Sequence, residues 1–170
     1  MELERVTWRN RFQVLGLLML IGSAFAALRL VFLGLVFVRS YNSRNAYDDV
    51  PSDMSRGWTH SYGRSLSFPD AISIDFRGDD GVARYYQDPG GDSVYEAVLP
   101  ATERTWFTRD GSGYRRHFPG GAYETYDSAG RLATVVDVAG NTTVLSRDSS
   151  GRLQGVTDAG GRSLVLAYDE

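Results

Sequence analysis

The sequence predicts an all-β body, an antiparallel ribbon of short hairpin strands, preceded by a hydrophobic N-terminal helix. Three observations carry this. First, the last third of the chain repeats at 21 residues. Tyr126-Asp127-Ser128-Ala129-Gly130-Arg131-Leu132 returns as Arg147-Asp148-Ser149-Ser150-Gly151-Arg152-Leu153, and Tyr168-Asp169 stands a further 21 residues on. A fixed period in this range marks one supersecondary unit copied in tandem, which buries its apolar face against its own neighbour. Second, the body is rich in Asp, Tyr, Ser and Thr, and the 170 residues include 19 glycines. Gly and Asp favour tight turns, whereas Tyr, Thr and Val favour strands. Third, no segment beyond the amino terminus sustains a 3.6-residue apolar period, so no helix is expected there.

Arg5, Arg9 and Arg11, partly offset by Glu2 and Glu4, precede an apolar core from Val14 to Gly22. Ala24 and Ala26 follow in an A-x-A arrangement. These are the parts of a secretory signal peptide, cut between Ala26 and Ala27. A second reading is an uncleaved transmembrane helix from Val14 to Val38, since ~20 apolar residues span a bilayer. Arg29 opposes it, because a cation deep in a span costs ~2.5–3.5 kcal/mol on insertion scales. A third reading is a misassigned start, with an accidental apolar stretch. On the first two, the body is exported, either secreted or held in the cell envelope, and on the second it is anchored in the inner membrane.

Residues 27–100 are expected to form one β domain and residues 101–170 the repeat ribbon. Leu35 to Tyr41 is strand-like in its β-branched and aromatic content, and residues 42–57 are a polar, turn-rich connection. Gly57 to Tyr62 is read as a strand with Trp58, His60 and Tyr62 on one face. Ala71 to Phe76 alternates apolar and polar, Gly78 to Gly81 is a turn signal, and Val82 to Tyr86 returns as a hairpin. The turn Pro89 to Asp92 leads to a strand at Val94 to Leu99. Strands at Thr105 to Thr108, Tyr114 to Phe118 and Ala122 to Tyr126 then alternate with Gly-containing turns, before the two regular repeats.

One spacing in the repeats is irregular. Leu132 and Val135, like Leu153 and Val156, are three apart and would face opposite sides of a flat strand. A bulge after the Gly-Arg turn would bring them to one face. In the second strand of the unit, Leu164, Leu166 and Tyr168 share a face and match Thr143, Leu145 and Arg147 one repeat earlier.

The chemistry-bearing residues are few. The net charge is −3 and the arginines are scattered along the chain, which gives no footprint for nucleic acid. There is no cysteine, hence no disulfide or thiolate chemistry. No Gly-x-Ser-x-Gly elbow and no phosphate-cradling loop leading into a helix is present, so no catalytic residue and no cofactor is assigned. Glu96, Glu103 and Glu124 have no spacing that supports a glycosidase pair. Asp127, Asp137, Asp148 and Asp158 recur every 10 or 11 residues at turns. Stacked turns could align them for calcium, but hydrogen bonding to their own turn backbone is the expected role. His60 and His117 lack further ligands of matching character and are expected in cross-strand packing or at the surface, so no metal site is assigned. Trp58, Tyr62, Trp106 and Tyr114 are the candidates for an aromatic sugar-binding platform, set against ordinary core packing.

Taken together, Gly130-Arg131-Leu132, Asp137 and Gly140, then Gly151-Arg152-Leu153, Val156-Thr157-Asp158, Gly161-Arg162 and Tyr168-Asp169 resemble the YD repeat of RHS-family proteins. Upstream, Arg39-Ser40-Tyr41-Asn42-Ser43, Tyr47-Asp48 and Gly57-Trp58-Thr59-His60-Ser61-Tyr62 resemble the domain of unknown function that precedes the repeats in that family. The likeness covers residues 33–170 and includes about two and a half repeats, fewer than a closed shell needs. It implies a β ribbon that spirals into a hollow shell, which in polymorphic toxins encloses a C-terminal toxin. Relatives free that toxin at an aspartyl self-cleavage site, and no such site is matched here. Arg147 departs from the repeat, which has tyrosine there. The expectation is a non-enzymatic structural fragment of an exported protein, part of a toxin shell or surface stalk, from a truncated or split gene or as an isolated N-terminal piece of such a protein. Its partners would be the rest of the shell or a toxin encoded downstream. The alternative is an envelope-displayed module that binds carbohydrate or a neighbouring cell surface.

Overall fold

The computed structural model describes residues 35–48 and 54–168. The expected N-terminal helix and the Ala26–Ala27 cleavage position lie outside the described residues. Among those described, no helix is long and apolar enough to cross a membrane.

Two strands open the structure. β1 (Arg39–Tyr41) pairs antiparallel with β2 (Trp58–His60), in the register Arg39 to His60 and Tyr41 to Trp58. Between them the polar connection holds a short helix, α1 (Ser43–Tyr47), where the sequence predicted none. Its cause is local. The Asn42 side chain accepts hydrogen bonds from the backbone of Arg44 and Asn45, which is N-cap chemistry. Five residues are too few to display an apolar period, so the pattern could not reveal it.

The body is a single eleven-stranded antiparallel meander in strict sequence order. It comprises β3 (Ser65–Ser67), β4 (Ser73–Arg77), β5 (Ala83–Gln87), β6 (Val94–Leu99), β7 (Trp106–Asp110), β8 (Gly113–His117), β9 (Tyr123–Tyr126), β10 (Leu132–Val136), β11 (Thr142–Arg147), β12 (Leu153–Thr157) and β13 (Ser163–Val165). The all-β hairpin ribbon is as the sequence predicts. The sheet runs without a break across residue 100.

The sheet rolls up. β3 returns to the turn between β9 and β10, where the Leu66 amide donates to the Gly130 carbonyl at 2.7 Å and Ser65 bridges Arg131. Inside the roll lie Leu66, Ile74, Phe76, Tyr86, Phe107, Tyr126 and Leu132, all buried. Phe107 sits at its centre, edge-on to Tyr86 at 4.8 Å and 5.9 Å from both Phe76 and Tyr126. Such aromatic pairs add ~0.5–1.5 kcal/mol each beyond burial. Beyond the closure, Leu145, Leu153 and Val156 extend the core along the ribbon, with Leu164 and Leu166 partly buried against it.

The expected bulge is present in both repeats. Leu132 faces Tyr126 while Thr134 faces Thr125, so Ala133 is the extra residue in β10. Arg147 faces Leu153 while Ser146 faces Gly155, so Gln154 is the extra residue in β12. The inserted residue turns the strand over, and Leu153 and Val156 both become fully buried although three apart.

Candidate functional site

The turn aspartates serve their own loops. Asp148 Oδ1 accepts from the amides of Ser150 and Arg152, both at 2.9 Å, and its Oδ2 takes the Arg152 Nε at 2.8 Å. Asp127 does the same with Ala129 and Arg131, Asp158 with Gly160 and Arg162, and Asp137 with Ala139 and Asn141. In each turn the glycine amide three residues on donates to the aspartate carbonyl. The turn is thus Asp-x-x-Gly followed by Arg or Asn, a sequence that satisfies its own donors. The side-chain bonds from Arg152, Arg162 and Asn141, with the backbone amides behind them, hold Asp148, Asp158 and Asp137 below the usual carboxylate range. Turn chemistry therefore accounts for the recurring acids.

The aromatic candidates do not come together. Tyr62 and Tyr114 are buried, the latter stacked on Phe68 at 4.7 Å. Trp106 is 37% exposed and lies flat on His117, its register partner, at 5.1 Å. In β7 and β8, Phe107 and Arg116 face inward as a pair, and the pair Arg109 and Tyr114 shares that face, which places Trp106 on the opposite face from Tyr114. Trp58, on β2, packs against Tyr41 and carries the Arg39 guanidinium over its ring. His60 is buried and stacked on Phe37 at 4.9 Å. Both imidazoles take the packing role expected of them. Burial, with Arg115 nearby, lowers the His117 pKa.

A buried charge network was not visible in the sequence. Glu124, 1% exposed, ion-pairs with Arg64, accepts from the Tyr126 hydroxyl at 2.6 Å, and lies 3.6 Å from Arg116, its direct cross-strand partner. Arg116 is itself buried, 4.0 Å above the Phe76 ring, and donates to the Thr105 hydroxyl. Burial, reinforced by the Glu124 charge, pushes the Tyr126 phenol well above its ordinary value. Glu103 is tied to Arg84 at 3.2 Å and to Thr105. These two glutamates therefore bind arginines. An alternation of polar and apolar residues reads as one wet and one dry face, so a charge pair on the dry face escapes the pattern.

The structure also gathers arginines that the sequence scatters. A cleft of about 320 Å³ is lined by Arg64, Arg77, Arg131, Arg147 and Arg152, with backbone at Gly57, Gly63 and Gly151, and with no Asp or Glu. Arg131 and Arg152 occupy the same position in successive repeats. The Arg131 guanidinium lies close over Gly151, where a Cβ would clash with Arg131 Nη1. Arg64, just ahead of β3, and Arg77, at the end of β4, arrive through the roll closure, which no local pattern encodes.

Arg147 explains its own departure from the repeat. Its Nη2 donates to the Leu132 carbonyl at 3.2 Å, 15 residues back. One repeat later, the Tyr168 hydroxyl donates to the Leu153 carbonyl at 2.8 Å, again 15 residues back. The guanidinium thus makes the cross-ribbon bond that tyrosine makes in the next unit, and adds a charge.

Comparison with known families fits this architecture. Residues 126–163, which hold the bulged repeats, match the RHS repeat. Residues 25–86, which include β1 to β4, match a domain of unknown function, DUF6531. No curated protein matches the chain. Upstream domain and bulged repeats stand in the order the sequence resemblance requires, and the two matches fit a fragmentary RHS/YD-repeat protein.

Proposed function

We propose that this chain is a non-catalytic scaffold segment of an exported RHS-repeat protein, contributing its ribbon to a toxin-enclosing shell or a surface stalk. One observation supports this most: eleven strands pair only in sequence order, and β13 forms the sheet edge with nothing paired beyond it among the described residues. Such an edge accepts a further hairpin of the same kind. The turn carboxylates are held by their own loops and the buried glutamates by arginines. That leaves scaffolding as the role these groups serve.

The test is to append one further copy of residues 148–168 after Tyr168. A scaffold built from neighbour contacts gains stability with each unit. An unchanged or lower melting temperature would refute the reading, and turnover in a broad hydrolase screen would refute its non-catalytic part. The alternative, a displayed carbohydrate-binding module, rests on Trp58 and Trp106, because Tyr62 and Tyr114 are buried. Glycan-array binding lost in Trp106→Ala would favour it.

A further inference from the structure

We infer that the arginine-lined cleft between the β1–β2 hairpin, the start of the sheet and the two repeat turns is a binding site for a compact multivalent oxyanion of the phosphate class. Five guanidiniums from four separate stretches of chain converge on one cavity whose lining holds no carboxylate. Like charges brought together in this way repel one another unless a counter-charge offsets them.

The fold supplies part of that counter-charge from behind. Arg64 is held by Glu124 and by Asp79 at 3.7 Å. Arg131 and Arg152 are held by Asp127 and Asp148, in each case through Nε at 2.8 Å. The latter two pairs fix their side chains through the Nε edge, and the Arg152 guanidinium also lies over the Tyr168 ring at 4.8 Å. Arg77 differs: its hydrogen-bond partner is the neutral Asn45 Oδ1 at 2.9 Å, and no carboxylate pairs with it among the described residues. Arg77 therefore brings charge into the cleft while bonded to a neutral oxygen. Arg147 adds a fifth guanidinium, anchored on the Gly151 and Leu132 carbonyls, both at 3.2 Å.

The arginine at 147 is the sharpest sign. The cross-ribbon bond needs only a donor, and Tyr168 makes it without charge one repeat later. Arginine at this position makes the same bond and brings with it a planar, permanently charged fork suited to oxyanions. The volume of about 320 Å³ accommodates a group the size of a diphosphate with its water, at ~30 Å³ for each water of liquid.

The experiment is calorimetric titration of the full chain with inorganic pyrophosphate at low ionic strength, repeated with Arg77→Gln, Arg147→Tyr and the double variant. Arg147→Tyr restores the repeat residue, whose hydroxyl is expected to reach the Leu132 carbonyl as that of Tyr168 reaches Leu153, with circular dichroism and melting temperature as the check on the fold. Arg109→Gln, an exposed arginine on β7 that stacks on Tyr114 away from the cleft, is the control. Expected are saturable binding that weakens with salt, a loss of about 10-fold in each single variant, and no change in the control. Binding weaker than about 10 mM, equal binding by the double variant, or equal loss in Arg109→Gln would overturn the assignment.

Discussion

Gly130→Ala tests the closure of the roll. Gly130 has φ +77°, and a Cβ on it would collide with the Leu66 main-chain carbonyl. Gly140 has φ +85° with nothing within 4 Å of where a Cβ would stand, so Gly140→Ala carries the backbone penalty alone. That penalty is about 1–2 kcal/mol for a non-glycine residue in the left-handed region. Gly130→Ala adds the loss of the 2.7 Å bond between the Leu66 amide and the Gly130 carbonyl. A lost internal hydrogen bond is worth about 1 kcal/mol, and displacing packed backbone adds about 1–3 kcal/mol. The sum is about 3–6 kcal/mol, so the closure contact itself accounts for about 2–4 kcal/mol of difference between the two variants. At about 2–4 °C per kcal/mol for a domain of this size, Gly130→Ala melts roughly 5–15 °C below Gly140→Ala. Denaturant titration of both variants reads the difference, and hydrogen exchange at the Leu66 amide locates it. Equal stability of the two, with the Leu66 amide unprotected even in the unsubstituted chain, would show that the sheet does not close at this point.

Three further outcomes follow from the same structure. Glu124→Leu leaves the buried Arg116 with only the more distant Glu103 carboxylate at 3.8 Å, takes a partner from Arg64 and removes the acceptor of Tyr126, so a loss of about 3–5 kcal/mol is expected by chemical denaturation; replacing Arg64, Arg116 and Glu124 together by apolar residues recovers most of it. Deleting Gln154 removes the bulge and leaves Leu153 and Val156 two apart on a regular strand, so both should stay buried and the fold should persist; new binding of a dye such as ANS to exposed apolar surface would refute the reading of Gln154 as the single extra residue. Because Asp137, Asp148 and Asp158 titrate below their unfolded value, the unfolded chain takes up protons first as pH falls. Their contribution is complete above the unfolded carboxylate value of about 3.9 and disappears as pH drops through it toward the folded values. Melting temperature should therefore fall on the acid side, and the Asp137→Asn, Asp148→Asn, Asp158→Asn variant should show a flatter acid limb.

Features defined by local chemistry were legible from the chain. β6 occupies the predicted Val94–Leu99 span, because the Pro89–Asp92 turn precedes it, Pro100 follows it and its residues favour strands. The bulge was legible because Leu153 and Val156 share a spacing that a flat strand cannot accommodate. The aspartates were legible as turn residues because a short acid followed by glycine satisfies its own loop. What escaped was non-local. β3 is three residues with a single apolar side chain, defined by its pairing with β4 and its contact with Gly130. The Arg116–Glu124 pair faces a core that alternation assigns to apolar side chains. Of the cleft arginines, the 21-residue spacing shows Arg131 and Arg152 as equivalents, and Arg147 stands out as a departure, whereas Arg64 and Arg77 reach the cleft only once the sheet has rolled.

Residue-resolved hydrogen exchange on the 170-residue chain tests most directly whether each hairpin is stabilised by the one beside it. Protection should be highest in β4 to β10, inside the closed roll, and should decline stepwise through β11 and β12 to β13. Uniform protection from β4 through Val165 in a chain shown to be monomeric would contradict it.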